Sequence, residues 1–436
     1  MNYKKTIDYL LSLQKFGIKF GLSSTERLLT GLESPHRRLK CIHIAGTNGK
    51  GSVGASITSM LRMAGYKVGF YTSPHLVTFR ERMVIGSRDG LEMIPPEAVS
   101  DLAARVKAVS SLDEPATFFE FVTAMALLYF AEEKVDLAII ETGLGGRLDA
   151  TNIITPLIGV ITNISLEHTE YLGPTLKHVA REKAGIIKPG IDLVTAEKRP
   201  ALKELFEETA ARVGATVLAL GRDFRIRTRP DGLIDYYGLV NKYSKLKLGL
   251  IGPHQVSNAA LALAVVELLM KSFGFQIQLN NIPDGLLKVY WPGRAEIFID
   301  NSNQTRPKQA KLMLDGAHNP GGARALAKTL SGLSYDQLHL VMGIMADKDQ
   351  VGIMAPLLPL AKSLYLTRPE YSRAASPETL AGHVKNFLGP MSRHERLSEA
   401  IEAAKAAAGP KDLILVTGSL FTVGEARAWL TGVTGP

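Results

Sequence analysis

The sequence predicts an α/β fold of two domains, and three observations support this prediction. Apolar, strand-like runs alternate with segments of helical periodicity along most of the chain. These runs are apolar on both faces, which is typical of a parallel sheet that helices cover on both sides. The chain has 436 residues, 46% of them hydrophobic, and exceeds the size at which a single core usually stops growing. We expect the domains to span 1–290 and 291–436.

In the first domain, strands and helices alternate as a mostly parallel sheet requires. The predicted strands are "CIHIAG" (41–46), "KVGFYTS" (67–73), "VDLAIIETG" (135–143) and "LIGVITNI" (157–164). Helices are predicted from the end of the first strand to Gly65, and from Phe118 to Glu133. The apolar segment from Asn258 to Met270 is shorter than the roughly 20 residues that a bilayer requires, so we interpret it as a core helix.

The pattern of polar and apolar residues changes twice after the first series of strands. From about Asp223 to Gly252, polar and apolar residues alternate around a Pro-Asp-Gly turn, which predicts a small antiparallel addition to the first domain. A polar segment, "DNSNQTRPKQAK" (300–311), then precedes a second series of strands, each followed by a helical stretch. These strands are "LMLDGA" (312–317), "LHLVMGI" (338–344), "SLYLTR" (363–368) and "DLILVTGS" (412–419). They predict a smaller, Rossmann-like α/β domain that begins near Trp291.

The charge and cysteine content limit the functions and the cellular compartment that we expect for the protein. Lys and Arg outnumber Asp and Glu by 51 to 42, and the excess is spread along the chain, which suits an enzyme of anionic substrates or simply a soluble protein. Aromatic residues are only 7% and do not alternate with a basic stripe, which argues against nucleic-acid binding. Cys41 stands alone, and the N-terminus lacks an apolar segment ending in a cleavage site. We expect a cytoplasmic protein without membrane or nucleic-acid partners.

The stretch "CIHIAGTNGKGS" (41–52) predicts a phosphate-binding loop and hence a first domain of the P-loop type. Backbone N–H groups at a helix N-terminus fit a phosphate when glycines bring them together, and a lysine at the lip neutralises it. Here Gly49, Lys50 and Gly51 stand between a strand and a helix, and Ser52 would offer a hydroxyl to Mg²⁺. Gly51 departs from the standard pattern because it separates the lysine from the serine. A structural turn would explain the glycines but not Lys50, so nucleotide binding is the better interpretation.

Polar side chains near other strand and helix ends are further candidates. Glu141 ends the strand "VDLAIIE", at the edge where open α/β sheets place ligands, and could bind Mg²⁺. His168 follows "LIGVITNIS"; since Mg²⁺ prefers oxygen ligands, chemistry alone favours a hydrogen-bonding role for it. Asn258 could simply cap the apolar helix. The helix that begins near Pro174 would normally expose Lys183 to solvent.

A series of motifs then identifies a family. The motifs are "IHIAGTNGKGS" (42–52), "YTSPHL" (71–76), "ETGLGGRLDATN" (141–152), "EHT" (167–169), "REKAGI" (181–186), "PHQVSNA" (253–259), "WPGR" (291–294), "LDGAHNP" (314–320), "GIMADKD" (343–349) and "VTGSLFTVGEAR" (416–427). In this order, and over nearly the whole chain, they resemble the folylpolyglutamate synthase and dihydrofolate synthase family of ATP-dependent, Mur-type amide ligases. The resemblance implies that a substrate carboxylate attacks the γ-phosphate of ATP, and that the amine of glutamate then displaces phosphate from the acyl phosphate.

The resemblance implies a role for each matched residue. Contacts to ATP are implied for Thr47, Asn48, Gly49, Lys50, Gly51, Ser52, Asn258, Arg294 and Asp315. Ligands of Mg²⁺ are implied for Ser52, Ser73, Glu141, His168 and Lys183, the last because the family's lysine in this motif is carbamylated. Catalytic roles are implied for Lys50, Lys183 and His318. Asp315 and His318 would contact the ribose and the γ-phosphate, so ATP would lie between the domains and their closure would be part of the cycle.

The resemblance also implies a pocket for the pteroate substrate. Its residues are Gly21, Leu22, Pro74, His75, Thr117, Phe118, Phe119, Glu120, Leu148, Asp149 and Ala150. Phe118 and Phe119 could equally belong to the core, because a helix containing "FVTAMALLYF" needs buried aromatic residues. We expect a monomer whose partners are small molecules: ATP, L-glutamate, and dihydropteroate or a reduced folate. The polar segment makes the spacing between Arg294 and Asp315 longer than expected.

Three rival functions are weaker. A peptidoglycan-precursor ligase would share the superfamily, but the "TSPHL" loop and the lack of a nucleotide-sugar domain before Lys50 disfavour it. A P-loop GTPase should carry an Asn-Lys-x-Asp motif for guanine, which the sequence lacks. A non-catalytic ATP-binding module would retain Lys50 but would have no need of Glu141 or His168.

Overall fold

The computed structural model describes residues 2–111, 113–298 and 310–433. Most of the polar segment predicted to lengthen the spacing between Arg294 and Asp315 lies outside these residues. The helices are α1 (Tyr3–Ser12), α2 (Ser23–Gly31), α3 (Lys50–Met63), α4 (Pro96–Ala108), α5 (Phe118–Glu132), α6 (Thr169–Leu172), α7 (Leu176–Ala184), α8 (Pro200–Arg212), α9 (Pro253–Phe273), α10 (Asn281–Leu287), α11 (Pro320–Leu330), α12 (Gln350–Met354), α13 (Pro377–His383), α14 (Leu397–Ala407) and α15 (Leu420–Thr431).

The first sheet has eight strands and contains the predicted parallel core. Its strands are β1 (Cys41–Ala45), β2 (Val68–Tyr71), β3 (Met83–Ser87), β4 (Gly90–Met93), β5 (Leu137–Glu141), β6 (Ile158–Ile161), β7 (Asp192–Thr195) and β8 (Thr216–Ala219). Their order is β4-β3-β2-β5-β1-β6-β7-β8. All pairings are parallel except those of the β3–β4 hairpin, which covers one edge. The mostly parallel sheet is therefore confirmed, and β1 and β5 are its central strands.

Helices cover both faces of this sheet, as the doubly apolar strands predicted. Ile139 of β5 packs with α3 and α9 on one face, whereas its neighbour Ile140 packs with α4 and α5 on the other. The predicted core helix is confirmed as α9. By length and composition α9 could cross a membrane, but 67% of its apolar window is buried within the protein.

The small antiparallel addition is also confirmed. It consists of β9 (Arg225–Thr228), β10 (Ile234–Tyr237) and β11 (Lys242–Leu246), in the order β11-β10-β9. Its inner face contributes Ile234, Tyr236 and Tyr243 to the apolar cluster that includes α9. The addition therefore covers the outer side of the core helix.

A second sheet of six strands forms the Rossmann-like part of the chain. Its strands are β12 (Glu296–Phe298), β13 (Lys311–Asp315), β14 (Leu338–Met342), β15 (Ser363–Leu366), β16 (Met391–Arg393) and β17 (Leu413–Thr417). Their order is β12-β13-β17-β14-β15-β16, parallel apart from β12. Apolar clusters lie on both of its faces. The gap between β11 and β12 contains Trp291, and the domain boundary at that residue stays a prediction.

Candidate active site

The carboxyl ends of strands from both sheets meet at one cleft of about 1110 Å³. The predicted site residues that line it are Gly21, Thr47, Asn48, Gly49, Lys50, Gly51, Ser52, Ser73, Pro74, Thr117, Phe118, Phe119, Glu120, Glu141, Leu148, Asp149, Ala150, His168, Lys183, Asn258, Arg294, Asp315 and His318. Two predicted residues do not line it. Leu22 instead precedes α2, and His75 lies behind the wall, bonded to Arg82. The sequence motifs therefore converge in space, although they are spread along the chain.

Lys50 lies at the centre of the phosphate loop, at the start of α3. Its Nζ donates to the carbonyl oxygens of Gly46 at 3.0 Å and Thr47 at 3.4 Å, and lies 3.9 Å from Oε1 of Glu141. The first-turn N–H groups of a helix have no intrahelical acceptors, so α3 presents unpaired donors beside this ammonium group. The loop thus offers a cation and backbone donors to the same anion.

The two glycines that flank Lys50 are needed for close packing. Gly49 has φ +90°, and a Cβ there would come within 2.5 Å of Oδ1 of Asn258. A Cβ on Gly51 would come within 2.7 Å of Nε1 of Trp291. The departure from the standard loop pattern at Gly51 therefore has a packing reason, since it makes room for this indole.

Asn258 does not cap its helix, so that interpretation was wrong. The residue before α9 is Gly252, and Asn258 lies in the second turn. Its Nδ2 donates to Oε1 of Gln255 at 2.8 Å, while its Oδ1 faces the glycine of the phosphate loop. Asn258 thus borders the loop, where the predicted nucleotide contact requires it.

Glu141 ends β5 as a buried carboxylate. Its Oε2 accepts a hydrogen bond from Oγ1 of Thr72. Burial raises the pKa of Glu141, and the nearby ammonium of Lys50 opposes that shift. A carboxylate in such a position gains from a bound cation.

The donor set around Glu141 fits Mg²⁺ that is shared with a substrate phosphate. Within the described ranges, no group of three His, Cys, Asp or Glu side chains is close enough to hold a metal alone. Mg²⁺ typically takes one or two protein carboxylates and completes its shell with water and phosphate oxygens. Glu141 lines the cleft together with the hydroxyl-bearing Ser52 and Ser73, and these are the oxygen donors that such an ion would use.

Lys183 is buried, contrary to the expectation that it would face solvent. Its Nζ donates to Oε1 of Glu167 at 2.8 Å and to the carbonyl oxygen of Gly46 at 3.0 Å. Burial lowers the pKa of Lys183, and Glu167 opposes that shift. Burial alone would raise the pKa of Glu167, but attraction by Lys183 and Lys50 lowers it to about 2. The helical pattern missed this burial because α7 packs its basic last turn against the phosphate loop.

His168 lines the cleft next to this ion pair, in a left-handed conformation with φ +46°. Burial, reinforced by the positive charge of Lys348, lowers the pKa of His168. The imidazole is therefore neutral at pH 7 and keeps a ring nitrogen lone pair. That form can accept a hydrogen bond or bind a cation.

The second sheet contributes Asp315 and His318 to the opposite wall. Asp315 ends β13, and its carboxylate accepts from the N–H groups of Ala295 at 2.9 Å and Ala317 at 3.0 Å. His318 has Nδ1 2.9 Å from the carbonyl oxygen of Gly316, so Nδ1 carries the proton. Burial lowers the pKa of His318 to about 4, which leaves Nε2 unprotonated. A bound phosphate would favour the protonated form that donates to it.

Asn48 and Asn319 join the two walls through a pair of amide hydrogen bonds that sequence reasoning missed. Nδ2 of Asn319 donates to Oδ1 of Asn48 at 3.0 Å, and the reverse bond measures 3.3 Å. Asn319 also caps α11 by accepting from the N–H of Gly322 at 2.8 Å. The position of Asn319 within "LDGAHNP" was the available signal. These bonds hold the phosphate loop against the second sheet.

Some residues of the predicted substrate pocket line the cleft, and some also stabilise the structure around it. Phe118 and Phe119 line the cleft and also pack against the apolar core beside it, and their contact with the substrate stays a prediction. Asp149 is largely occupied by its own loop, since it accepts from the N–H groups of Leu144 at 2.7 Å and Thr151 at 3.0 Å.

Thr117 and Glu120 form a capping box at the start of α5. Thr117→Ala should lower the free energy of unfolding by about 1 kcal/mol, because the N–H of Glu120 loses the hydroxyl that accepts from it. Urea unfolding monitored by circular dichroism measures this change, and Thr117→Ser is the matched control that keeps the cap. Unchanged stability of Thr117→Ala would contradict the capping role.

Comparisons with known proteins agree with this geometry. Residues 44–266 match the Mur ligase middle domain, and residues 293–420 match the Mur ligase, glutamate ligase domain. The chain is 35% identical to the dihydrofolate synthase/folylpolyglutamate synthase of Bacillus subtilis, over 98% of both proteins. It is 36% identical to a probable bifunctional folylpolyglutamate synthase/dihydropteroate synthase of Haloferax volcanii, over 100% of this chain and 51% of that protein. It therefore spans about half the length of the Haloferax relative.

The solved structure of a bifunctional folylpolyglutamate synthase/dihydrofolate synthase from Yersinia pestis, complexed with AMPPNP and a Mn ion, has a similar fold. Its TM-score is 0.87 at 30% identity, and the match covers 99% of this chain and 98% of that one.

Proposed function

We propose that this chain joins L-glutamate to dihydropteroate, to reduced folates or to both. The chain belongs to the folylpolyglutamate synthase and dihydrofolate synthase family of Mur-type ligases. It is an ATP-dependent carbon–nitrogen ligase. The observation that carries this proposal is that Lys50 and Glu141, beside the first sheet, line the same cleft as Asp315 and His318, beside the second. We also propose that it works as a monomer in the cytoplasm, where the free, buried thiol of Cys41 would stay reduced.

The reaction needs ATP because a carboxylate does not accept an amine in water. The backbone donors at the start of α3 and the ammonium of Lys50 bind the triphosphate. From the opposite wall, Asp315 would contact the ribose and His318 the γ-phosphate. The acceptor carboxylate then attacks the γ-phosphorus, and ADP leaves. The amine of glutamate attacks the resulting acyl phosphate at carbon, and phosphate departs as the amide forms.

Mg²⁺ would be held by Glu141, Ser52 and Ser73, and when bound it supplies positive charge that offsets the phosphate oxygens. The remaining catalysis is positioning and charge neutralisation by residues of this chain. The hydrogen bonds between Asn48 and Asn319 hold the two walls of the cleft together.

We propose further that Lys183 is carbamylated. A lowered pKa leaves more of its amine neutral, and the neutral amine is the form that adds to CO₂ with loss of a proton. The modification would place an anion beside Glu167, whose Oε1 lies 2.8 Å from Nζ in the unmodified protein. Two neighbouring anions would favour binding of a divalent cation at this site.

Carbamylation predicts that activity falls when CO₂ is rigorously removed and returns when bicarbonate is added. Native mass spectrometry should show the added mass of one CO₂, and Lys183→Ala should lack it. The exposed Lys177→Ala is a control on the same helix that should keep it. Free amine alone, together with full activity in the CO₂-free enzyme, would rule the modification out.

The proposed function is tested by offering purified enzyme ATP, Mg²⁺ and glutamate, with dihydropteroate and tetrahydrofolate in parallel reactions. Mass spectrometry should identify a product enlarged by one glutamyl residue in at least one reaction. Phosphate release that does not depend on both glutamate and the pterin substrate would contradict the proposal.

A further inference from the structure

Arg82 is a buried cation in the wall of the cleft. It has no role in the binding of ATP or in the reaction steps proposed for this site. It ends the 3₁₀ turn Phe79–Arg82, is only 7% exposed, and lines the cleft. Its Nε donates to Nδ1 of His75 at 2.8 Å, and its guanidinium lies over the ring of Phe118, 5.1 Å from the centroid. These two contacts fix the plane of the guanidinium group.

Arg82 makes no direct contact with an anion within the part of the chain that the structure describes. The carboxylates of Glu81 and Glu141 lie farther off and only partly oppose the lowering of its pKa by burial. Arg82 takes part in no ion pair there, and its two terminal nitrogens make no hydrogen bond there. The adjacent Glu81 cannot serve, because its carboxylate accepts from the N–H groups of Leu76 at 2.7 Å and Thr78 at 3.1 Å. Buried guanidinium groups are normally paired with an anion. The N–H groups on the two terminal nitrogens of Arg82 are therefore available to bind an anionic ligand.

The position of Arg82 indicates which anion this is. Its carbonyl oxygen accepts from the N–H of Thr72 at 3.1 Å, and the hydroxyl of Thr72 donates to Glu141. Glu141 in turn lies 3.9 Å from Lys50. Arg82 is thus linked through Thr72 to the phosphate end of the cleft, while Phe118 beside it belongs to the aromatic end.

We infer that the guanidinium of Arg82 binds the carboxylate of the pterin substrate, the group that ATP activates. This inference rests on the proposed function. A planar guanidinium matches a carboxylate with two parallel hydrogen bonds, which fixes the direction of the attacking oxygen. It also reduces the repulsion between the carboxylate and the γ-phosphate. After phosphoryl transfer one carboxylate oxygen joins carbon to phosphorus, and the other remains as a carbonyl oxygen that Arg82 can polarise for attack by the amine.

His75 acquires a different role from the one predicted for it. Since its Nδ1 accepts from Arg82, its proton must reside on Nε2. As the acceptor of this bond the imidazole is neutral, so it adds no second positive charge beside the guanidinium. His75 is a positioning residue for Arg82 rather than a contact of the substrate.

The test compares how tightly the enzyme binds dihydropteroate and its carboxamide analogue, measured by calorimetry without ATP turnover. Wild-type enzyme should prefer the acid by about 30-fold, the contribution expected of charged hydrogen bonds. Arg82→Gln should lose most of this preference while its Kd for ATP changes less than twofold. Arg82→Lys should be intermediate, because an ammonium lacks the planar fork. Arg80→Gln is the matched control, since Arg80 lies in the same turn and donates to the carbonyl oxygen of Ile94 at 2.6 Å.

An unchanged preference for the acid in Arg82→Gln would overturn the inference. Equal loss of affinity for acid and amide would also overturn it, since that result indicates a purely structural role beside Phe118. If Arg82→Gln does not fold, the same ratio measured for Arg82→Lys decides the question. Failure of the proposed function looks different, because wild-type enzyme would then bind neither compound.

Discussion

Lys50→Ala should lower kcat by at least about a thousandfold and leave the protein folded, because the triphosphate loses the cation of its binding loop. Lys50→Ala removes the bonds from Nζ to the carbonyl oxygens of Gly46 and Thr47, but backbone hydrogen bonds of the loop remain. Thr47 N–H donates to the carbonyl oxygen of Asn163 at 2.9 Å, and Asn48 N–H donates to Oδ1 of Asn163 at 3.1 Å. Phosphate release measures turnover, and circular dichroism with thermal unfolding measures the fold.

Lys67→Ala is the matched control for this variant. Lys67 precedes β2, and its exposed side chain forms an ion pair with Glu133 at 2.7 Å. Surface pairs of this kind contribute little to stability, so the control should retain normal turnover. A Lys50→Ala enzyme with near-normal turnover would show that the loop does not act on the phosphates of ATP.

Glu141→Gln should lower kcat about a hundredfold or more and raise the Mg²⁺ concentration required for half-maximal activity. The amide has the same shape but is a much weaker ligand than the carboxylate. Binding of Mn²⁺ together with a non-hydrolysable ATP analogue, measured by calorimetry, should weaken in parallel. This second readout does not depend on turnover.

Glu141→Gln should not destabilise the fold. Burial raises the pKa of Glu141, so the folded state favours the protonated carboxyl, and its ionisation at neutral pH opposes folding. The neutral amide removes that penalty, so the melting temperature should stay the same or rise. Glu133→Gln is the control, since Glu133 directly follows α5 and its side chain is 41% exposed. An unchanged dependence on the metal in Glu141→Gln would contradict its assignment as a ligand.

The sequence was most informative where a strand is buried on both faces. β1 and β5 are buried along their whole length and are apolar except for His43 and Glu141. Ile139 and Ile140 meet different helical layers, and such runs are recognisable without a structure. The hairpin strand β4 and the edge strand β16 are short and mostly exposed, and neither has a buried residue. These elements depend on pairing with a neighbouring strand, which local sequence does not encode.

The site was predictable to the extent that its residues belong to motifs. The glycine-rich loop, Glu141 and His318 all line the cleft that the motifs predicted. Pairings between distant segments were not predictable. Asn48 and Asn319 are 271 positions apart, and Lys183 reaches Gly46 across 137 positions. Arg82 was missed because an arginine in a polar turn gives no sign of its burial.

The central claim is that the cleft uses ATP to convert a carboxylate into an acyl phosphate. Oxygen-isotope transfer tests it most directly: dihydropteroate labelled with ¹⁸O in its carboxylate is converted with ATP and glutamate, and the released phosphate is analysed by mass spectrometry. One labelled carboxylate oxygen should appear in each phosphate, because that oxygen bridges carbon and phosphorus in the intermediate. Phosphate without the label, released as the amide forms, would contradict the account.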